Sequence, residues 1–343
     1  MALPIIEELL KNNSLEDILI TLFSPSGYSQ AIKGPYGSRV MYSPIDTLWH
    51  VKSFYKKYAP EKAIFIRYDF WYNLIKEGQT NETKFYLVNG RFGKNYFFFK
   101  WYGKPYLNLL KKFKGIYLSD KLSVTELQSA GIKHSKYTGD TRADRVATIA
   151  KNAKQFLEIE EFKGHRNLLI LGSSWEPEED LLLKLLQNKP NNLAIIIAPH
   201  DLKRSDSIAS KFALYKPKAY TEGSFDDNTQ VLIVNTMGML SSLYQYADFA
   251  LIGGGFSGAL HNILEPAVWG CHLSFGPKIE KFSEAQDFLN EGFAVKITDT
   301  EEWVKTIINL NSNSSLLNEI KEKSRTYMAL QKGATDVIVT DLT

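Results

Sequence analysis

Two α/β domains, each a parallel sheet wrapped in helices, are what this sequence predicts, and three observations predict them. The chain has 343 residues, longer than one hydrophobic core usually grows, so two domains of roughly 150 residues each are expected. Short β-branched apolar runs alternate with helical patterns almost from end to end, the signature of strands joined by helical crossovers. A polar, charged stretch with helical spacing, Arg145 to Arg166, separates two series of such runs. The boundary is placed near residue 155, giving domains over 1–155 and 156–343.

The first series opens with a helix, Leu3 to Lys11, and then reads as strands at Ile18 to Phe23, Ala63 to Ile66, Phe85 to Val88 and Gly115 to Leu118. A doubly wound sheet ordinarily opens on a strand, so this one is expected to lack its first. The helix after Gly115 to Leu118 carries Ser123-Val124-Thr125-Glu126, which reads as a capping box between Ser123 and Glu126. The second series has strands at Asn167 to Leu171, Ala194 to Ile197, Val231 to Val234 and Phe249 to Ile252, with weaker ones at His272 to Phe275 and Ala294 to Ile297. The helical stretch Leu316 to Gln331 has no strand after it and is placed to cross back onto the first domain.

Composition narrows the function classes. Hydrophobic residues make up 44% and charged residues 23% of the chain, the balance of a globular protein. A net charge of +3 argues against general nucleic-acid binding and leaves room for a local basic patch, seen at Lys100, Lys104, Lys111, Lys112 and Lys114. Cys271 stands alone, which excludes a disulfide framework or a sulfur-based metal site. No run approaches the ~18 apolar residues of a spanning helix, and no leader pattern opens the chain, so the sequence as given reads as neither secreted nor spanning.

The densest cluster of chemistry-bearing residues is Gly253 to Ala267, directly after the strand Phe249 to Ile252. Glycines leaving a strand let backbone amides approach a ligand, and a helix start behind them offers free N–H groups to phosphate. His261 and Asn262 are expected to flank that helix start. Glu265, four residues past His261, is expected on the same face, where its carboxylate can accept sugar hydroxyls. An ordinary tight turn is the plain alternative for any one loop. Three further loops leave strand ends in the same half, however: Gly172-Ser173-Ser174-Trp175, Ala198-Pro199-His200-Asp201 and Asn235-Thr236-Met237-Gly238-Met239. They bring hydroxyls at Ser173, Ser174 and Thr236, a flat ring at Trp175, a close backbone approach at Gly238, and Arg204 at the rim. The cluster does not present Gly-x-Gly-x-x-Gly at the first strand of a unit with an acidic residue ~20 further on, which disfavours a dinucleotide site, and the Walker pattern, Asp-x-Asp and Gly-x-Ser-x-Gly are absent from the sequence. No metal and no cofactor are expected.

In the first half, Arg67 and Asp69 follow one strand and Arg91 follows another. Asp69 can pair with Arg67 or Arg91, or serve as a general base if left unpaired at a cleft. Tyr96 to Tyr106, aromatic with Lys100 and Lys104 interleaved, reads either as a surface for lipid or glycolipid or as a helix packing its rings inward.

Phe23-Ser24-Pro25-Ser26-Gly27-Tyr28, Tyr68-Asp69-Phe70-Trp71, Phe98 to Gly103, Gly139 to Arg145, Gly172 to Trp175 and Gly253 to Ala267 together resemble the 3-deoxy-D-manno-octulosonic acid (Kdo) transferases of lipopolysaccharide synthesis, in order and over nearly the whole chain. The resemblance implies a GT-B fold, two Rossmann-like domains with parallel sheets facing a cleft. It implies a CMP-Kdo donor on the C-terminal domain and a lipid A precursor as acceptor on the N-terminal one, at the cytoplasmic face of the inner membrane. Transfer in such enzymes inverts the anomeric centre, uses a carboxylate base and needs no metal. Contacts to CMP are implied for Pro199, His200, Thr236 to Gly238, Gly254, Gly255, Asn262 and Glu265, beside the loop residues Ser173, Ser174 and His261. Arg67, Asp69, Arg91, Lys100 and Lys104 are the acceptor-side candidates, and an anionic membrane surface is the expected partner. The pattern departs from the family at Met239, where Glu is common. It departs again before Leu3, where the family's membrane anchor and Ser-x-Gly-Glu segment have no counterpart. The usual base is thus expected upstream of Met1, with Asp69 as a substitute within the chain. Two rival readings stand beside this one: a CMP-sugar-binding protein without catalysis, and a GT-B transferase that uses a UDP-sugar.

Overall fold

The structure is a computed structural model that describes residues 1–11, 13–188, 190–223 and 225–343. The chain forms two compact units, Met1–Asp144 with Gln331–Thr343, and Arg145–Leu330.

The first unit runs α1 (Ala2–Leu9), β1 (Ile20–Leu22), α2 (Pro25–Ala31), β2 (Val40–Tyr42), α3 (Leu48–Tyr58), β3 (Lys62–Ile66), α4 (Tyr72–Thr80), β4 (Lys84–Gly90), α5 (Lys104–Leu110), β5 (Gly115–Leu118), α6 (Lys121–Ser129), β6 (Ser135–Tyr137) and the start of α7 (Thr141–Lys151). Strands β3, β4, β5 and β6 form a parallel sheet in that order. The run at Ile18 to Phe23 does not join it. It supplies β1, which is half-buried and pairs with β2 in a separate two-stranded parallel sheet, Ile20 opposite Val40. The cap of α6 also differs from the capping-box expectation. Asp120 is the N-cap, its Oδ1 accepting from Ser123 N at 2.8 Å, while the Ser123 hydroxyl lies inside the first turn and donates to Asp120 Oδ2 at 2.6 Å. A carboxylate at the N-cap satisfies the amide and the helix dipole together, which serine cannot.

The second unit continues from α7 with α8 (Leu157–Lys163), β7 (Asn167–Ser174), α9 (Glu176–Gln187), β8 (Leu193–Pro199), α10 (Ser205–Lys211), β9 (Lys218–Ala219), β10 (Val231–Ile233), α11 (Leu240–Leu243), β11 (Phe249–Ile252), α12 (Leu264–Val268), β12 (His272–Phe275), α13 (Ser283–Glu291), β13 (Ala294–Lys296), α14 (Thr300–Ser312) and α15 (Ser314–Leu330). The chain then returns to the first unit with α16 (Ala334–Leu342). The sheet has seven parallel strands in the order β13-β12-β11-β7-β8-β10-β9. Its central strands are apolar on both faces, with Leu168 to Leu171, Ala194 to Ile197 and Phe249 to Ile252 buried, as a sheet covered by helices on both sides requires.

The alternating side chains of β4 divide the core of the first unit. Phe85 and Leu87 face a cluster with Phe65, Phe92, Phe98, Phe113 and Ile116. Tyr86 and Val88 face the other way, against Ile5 of α1 and Ala334, Ile338 and Leu342 of α16. Asp144 holds α16 in place, accepting from the amides of Gly333 at 2.6 Å and Thr335 at 2.8 Å. The aromatic block after β4 is two short 3-10 turns, Phe97–Phe99 and Trp101–Gly103, rather than a helix. It divides by exposure: Phe98 is buried, with Tyr96, Phe99 and Tyr106 against it, while Trp101 is 82% exposed and Tyr102 57% exposed.

Asp248, buried just before β11, organises the amino edge of the larger sheet. Its Oδ2 accepts from Leu168 N at 2.8 Å and Lys163 Nζ at 2.9 Å, and its Oδ1 pairs with Lys321 Nζ. Burial pushes its pKa up, but the two lysines outweigh burial and hold it below the usual 3.8. A depressed folded pKa means that this stabilisation is complete above the unfolded value and is lost as pH falls through the folded one. Asp248→Ala, which leaves two lysines facing a buried gap, is expected to cost about 3–5 kcal/mol in urea denaturation at neutral pH. The gap between variant and wild type is expected to narrow in acid.

Candidate functional site

Strand order in the second unit places a crevice. From β7 the chain lays β8, β10 and β9 on one side, then crosses back to lay β11, β12 and β13 on the other, so β7 and β11 lie side by side with Leu169 opposite Phe249 and Gly172 opposite Ile252. Loops leaving the carboxyl ends of such a pair diverge and open a ligand-sized gap between them. The loops after β7 and β11 are the serine-tryptophan turn and the glycine cluster. Those after β8 and β10, carrying His200 and Thr236 to Met239, emerge at the same carboxyl edge.

Two glycines shape the turn after β11. A Cβ on Gly253 would lie 1.9 Å from the Ser173 carbonyl oxygen. Gly254 has φ +86, and a Cβ there would meet the Ala259 carbonyl at 2.2 Å. The turn then folds on itself, with the amides of Ala259 and His261 donating to the carbonyls of Gly254 and Gly253 at 3.0 and 3.1 Å. Across the gap Ser173 adopts φ +54, a conformation uncommon for a residue with a side chain. Its half-buried hydroxyl has no hydrogen bond among the described residues. Beside it, the Trp175 ring stacks on His200 at 4.6 Å and 27°, and His200 lies 4.7 Å from His261. Burial, reinforced by His200, holds the His261 pKa below its ordinary 6.5.

Several expected site residues have other duties. Ser174 is fully buried and donates its hydroxyl to Glu179 Oε1 at 2.9 Å, so its side chain is part of the core. The Gly254 amide donates to Glu178 Oε1 at 3.0 Å. Helix α12 has 5 residues and starts after Ile263, so His261 precedes it and does not share a helical face with Glu265. Asn262 takes that place: its Nδ2 donates to Glu265 Oε1 at 2.8 Å, and its Oδ1 caps Leu264 N at 3.0 Å. So short a helix carries a weak dipole. Burial, opposed by the Asn262 bond and by Arg145, raises the Glu265 pKa above its ordinary 4.5. Pro199 ends β8 inside the core. Thr236 donates its hydroxyl to the Met239 sulfur, and Met239 is buried, whereas Met237 is 81% exposed and Gly238 lies at the surface. Arg204 does reach the rim, where it is bidentate to Glu179 at 2.9 Å for both bonds.

Glu178 and Glu179 carry roles that the motif reading did not assign. They look like ordinary acids of a first helical turn. Their spacing is nonetheless informative, because Glu178 and Glu179 precede Leu182 by four and three residues on the buried stripe of α9. Burial pushes the Glu178 pKa above its ordinary 4.5, against the pull of its own amide and those of Gly254 and Trp175.

In the first unit the carboxyl edge is closed by a polar network. Asn89, buried with φ +53, donates to Asp140 Oδ1 at 3.2 Å and Thr141 Oγ1 at 2.8 Å. Arg142 and Arg67 lie 2.6 and 3.8 Å from Asp140 Oδ2. Burial raises the Asp140 pKa, but these arginines outweigh it and hold the carboxyl below 3.8. Arg91 lies 3.6 Å from Asp120. Asp69 therefore pairs with neither arginine, and its carboxylate has no hydrogen bond or ion pair among the described residues. Desolvation raises its pKa above 3.8. Lys100 and Lys104 are exposed. Among the described residues no three His, Cys, Asp or Glu side chains are grouped to hold a metal ion, and no helix is long and apolar enough to cross a membrane.

Residues 1–145 match the model of a family described as 3-deoxy-D-manno-octulosonic-acid transferase (kdotransferase). A 3-deoxy-D-manno-octulosonic acid transferase of Chlamydophila psittaci is 25% identical over 348 residues, covering 97% of this chain and 77% of its own. A bifunctional glycosyltransferase/methyltransferase of Fusobacterium nucleatum is 26% identical over 337 residues, covering 91% of this chain. The chain spans about half the length of that relative, 51%. MurG of Acinetobacter baumannii superposes with a TM-score of 0.63 at 12% identity, over 99% of this chain and 93% of its own. That likeness shows a GT-B fold.

The glycine turn makes a direct prediction. Gly253→Ala forces the carbonyl of Ser173 to move and is expected to cost on the order of 1–3 kcal/mol in urea denaturation. Gly27→Ala, where an added Cβ meets nothing closer than 3.8 Å inside α2, is expected to leave the midpoint unchanged or raise it slightly.

Proposed function

We propose that the chain, which is similar to Kdo transferases over most of its length, is a glycosyltransferase of that family and moves Kdo from CMP-Kdo to a lipid A precursor. The observation that carries the proposal is the set of loops at the reversal point of the larger sheet: Ser173, His200, Thr236 to Gly238 and Gly253 to Glu265 leave the carboxyl ends of β7, β8, β10 and β11. Such an edge is where open α/β sheets hold nucleotides. In this reading the Ser173 hydroxyl and the glycine turn meet the phosphate, the exposed backbone of Met237 and Gly238 meets the cytosine, and Glu265 accepts ribose hydroxyls through the oxygen that Asn262 leaves free. The His200–His261 pair lies beside the phosphate position. Met239, inside the core, takes no part.

Transfer inverts the anomeric carbon by direct displacement, without a metal. A base takes the proton of the acceptor hydroxyl. The family resemblance assigns that role to the Glu of a Ser-x-Gly-Glu segment. Within the described residues Asp69 has the character of a base, being unpaired and desolvated at the carboxyl end of β3. Lys100, Lys104 and the exposed rings of Trp101 and Tyr102 are suited to acceptor phosphates and acyl chains at the cytoplasmic face of the inner membrane. Arg67 and Arg91 shape this edge through Asp140 and Asp120.

Calorimetry on the full chain tests the donor half. CMP is expected to bind and to displace UDP, and Glu265→Ala is expected to weaken CMP about tenfold or more, the loss of one charge-assisted hydrogen bond. A folded chain that ignores CMP, or prefers UDP, overturns the assignment of donor. Transfer from CMP-Kdo to a lipid A precursor in vesicles tests the whole proposal, and binding without transfer would make the chain a CMP-sugar-binding protein instead. If Asp69 is the base, activity falls as pH drops through its raised pKa, because only the ionised form accepts a proton, and Asp69→Asn abolishes turnover. Unchanged turnover of Asp69→Asn returns the role to the Ser-x-Gly-Glu carboxylate.

A further inference from the structure

A pocket of about 500 Å³ opens beside the carboxyl end of β7, lined by Trp175, Glu178, Arg204, Gly254, Phe256 and Ser257 among others. Its volume lies within the usual range for small-ligand sites. Glu178 is 1% exposed. One of its carboxyl oxygens accepts from the Gly254 amide at 3.0 Å, and the other, Oε2, is buried with no hydrogen-bond partner among the described residues. A buried acceptor without a donor is costly, and native structures keep one where a ligand or water completes it.

The rest of the lining says which ligand would complete it. Arg204 is the cation of the pocket, and its guanidinium is bidentate to Glu179 and also donates to the Ser174 carbonyl at 3.4 Å. Ser257 donates its hydroxyl to the Gly254 carbonyl at 3.0 Å. With the guanidinium committed and a buried carboxyl in the lining, the pocket is poorly suited to phosphate. Trp175, 40% exposed, and the half-buried Phe256 supply apolar ring surface. Aromatic surface together with an unfilled acceptor suits a polyhydroxylated ring, whose C–H faces pack on the aromatics while a hydroxyl donates to the carboxyl.

We propose that this pocket is the subsite for the sugar of the donor, in which Glu178 Oε2 accepts a sugar hydroxyl and Trp175 and Phe256 flank the ring. The inference rests on the donor assignment made above and adds to it the place of the sugar, on the α9 side of the glycine turn. The nucleotide lies on the other side, toward Asn262 and Glu265. Because Glu178 also anchors Gly254, a single carboxyl couples the sugar subsite to the turn that meets the phosphate. A sugar that bears its own carboxylate would turn that group away from Glu178 and present its hydroxyls.

The test compares two ligands on the full chain. Calorimetry gives the affinity for CMP, and initial rates give KM for CMP-Kdo, for wild type, Glu178→Gln and Trp175→Leu. Glu178→Gln keeps an oxygen for the Gly254 amide and replaces the unfilled acceptor with a donor. The expected result is a rise in KM for CMP-Kdo of about tenfold or more in both variants, exceeding any loss of CMP affinity by about fivefold or more. Equal weakening of CMP and CMP-Kdo, or no change in either, overturns the sugar subsite while leaving the donor assignment standing. If wild type fails to bind CMP, it is the donor assignment that fails. Should Glu178→Gln lose its fold, judged by thermal melting, Trp175→Leu decides, since its ring is at the surface.

Discussion

The contact on which the second unit depends is a backbone one. Where β7 and β11 end side by side, Gly253 passes so close to the Ser173 carbonyl that any side chain would occupy the same space, and Gly172 lies against the Tyr244 hydroxyl, which an added Cβ would meet at 2.0 Å. Two strands that belong to opposite windings of the sheet can exchange places only if their connections leave the edge at once and in opposite directions. The glycines permit that, and Ser173 takes up the remaining strain in its left-handed backbone. From this one approach follow the crevice, the position of Trp175 over His200, and the reach of the Gly254 amide to Glu178.

Two neighbouring acids in α9 show how charge is handled around that contact. Glu179 is fully buried and fully answered: Ser174 and Arg204 hydrogen-bond it, and Lys211 stands 3.7 Å away. It fastens α9 to the loop after β8. Glu178, one residue earlier, is buried to nearly the same degree, and while its Oε1 accepts from the Gly254 amide, its Oε2 has no hydrogen-bond partner among the described residues. Solvation lost by a carboxyl has to be replaced by donors, so the two residues differ in kind: one closes the structure and the other leaves it open toward a pocket. Asp248, at the opposite edge of the same sheet, belongs with Glu179, since two lysines and an amide saturate it.

Much of this was legible in the sequence, and the reasons for what was not are physical. Phe249–Ile252 and His272–Phe275 are strands over the very residues the apolar runs mark, because a strand buried on both faces has no choice of register in composition. The loops with His200, Thr236 and Gly253 follow strand ends as read, whereas β7 runs on past Leu171 and takes in Ser173 and Ser174. Three-residue strands such as β2 and β6 are too short to leave a periodic trace, and without β2 in view the run at Ile18 could not be assigned to a sheet of its own. The length of α12 was hidden because Asn262 and Pro266 are both compatible with a longer helix. The burial of Glu178 and Glu179 was encoded by their distance from Leu182, a signal that competes with the preference of acids for any exposed first turn. Hydroxyls mislead for a related reason: Ser173 and Ser174 are adjacent and chemically alike, and a register shift between Gly172 and Ser174, with Ser173 in a left-handed conformation, leaves Ser173 half-buried and Ser174 in the core.

The first unit solves the opposite problem at its own sheet edge. Asn89 and Arg67, both with positive φ, turn their side chains into a network with Asp140, Thr141 and Arg142 that compensates the Asp140 carboxylate. Arginines at a strand end read naturally as ligand-binding groups, yet a guanidinium beside a desolvated carboxylate is drawn to it more strongly than to a ligand that must first be stripped of water. The edge is therefore rigid and electrostatically closed. The groups that the network leaves out are loop residues: Asp69 with its raised pKa, and Lys100, Trp101, Tyr102 and Lys104, which stand in solvent on turns anchored by the buried Phe98. Phe98, Tyr96 and Phe99 hold those turns to the core, so the exposed side chains are presented from a fixed base. Such a surface can meet a bulky amphipathic molecule without first ordering itself, which spares the entropy that a loose loop would lose on binding.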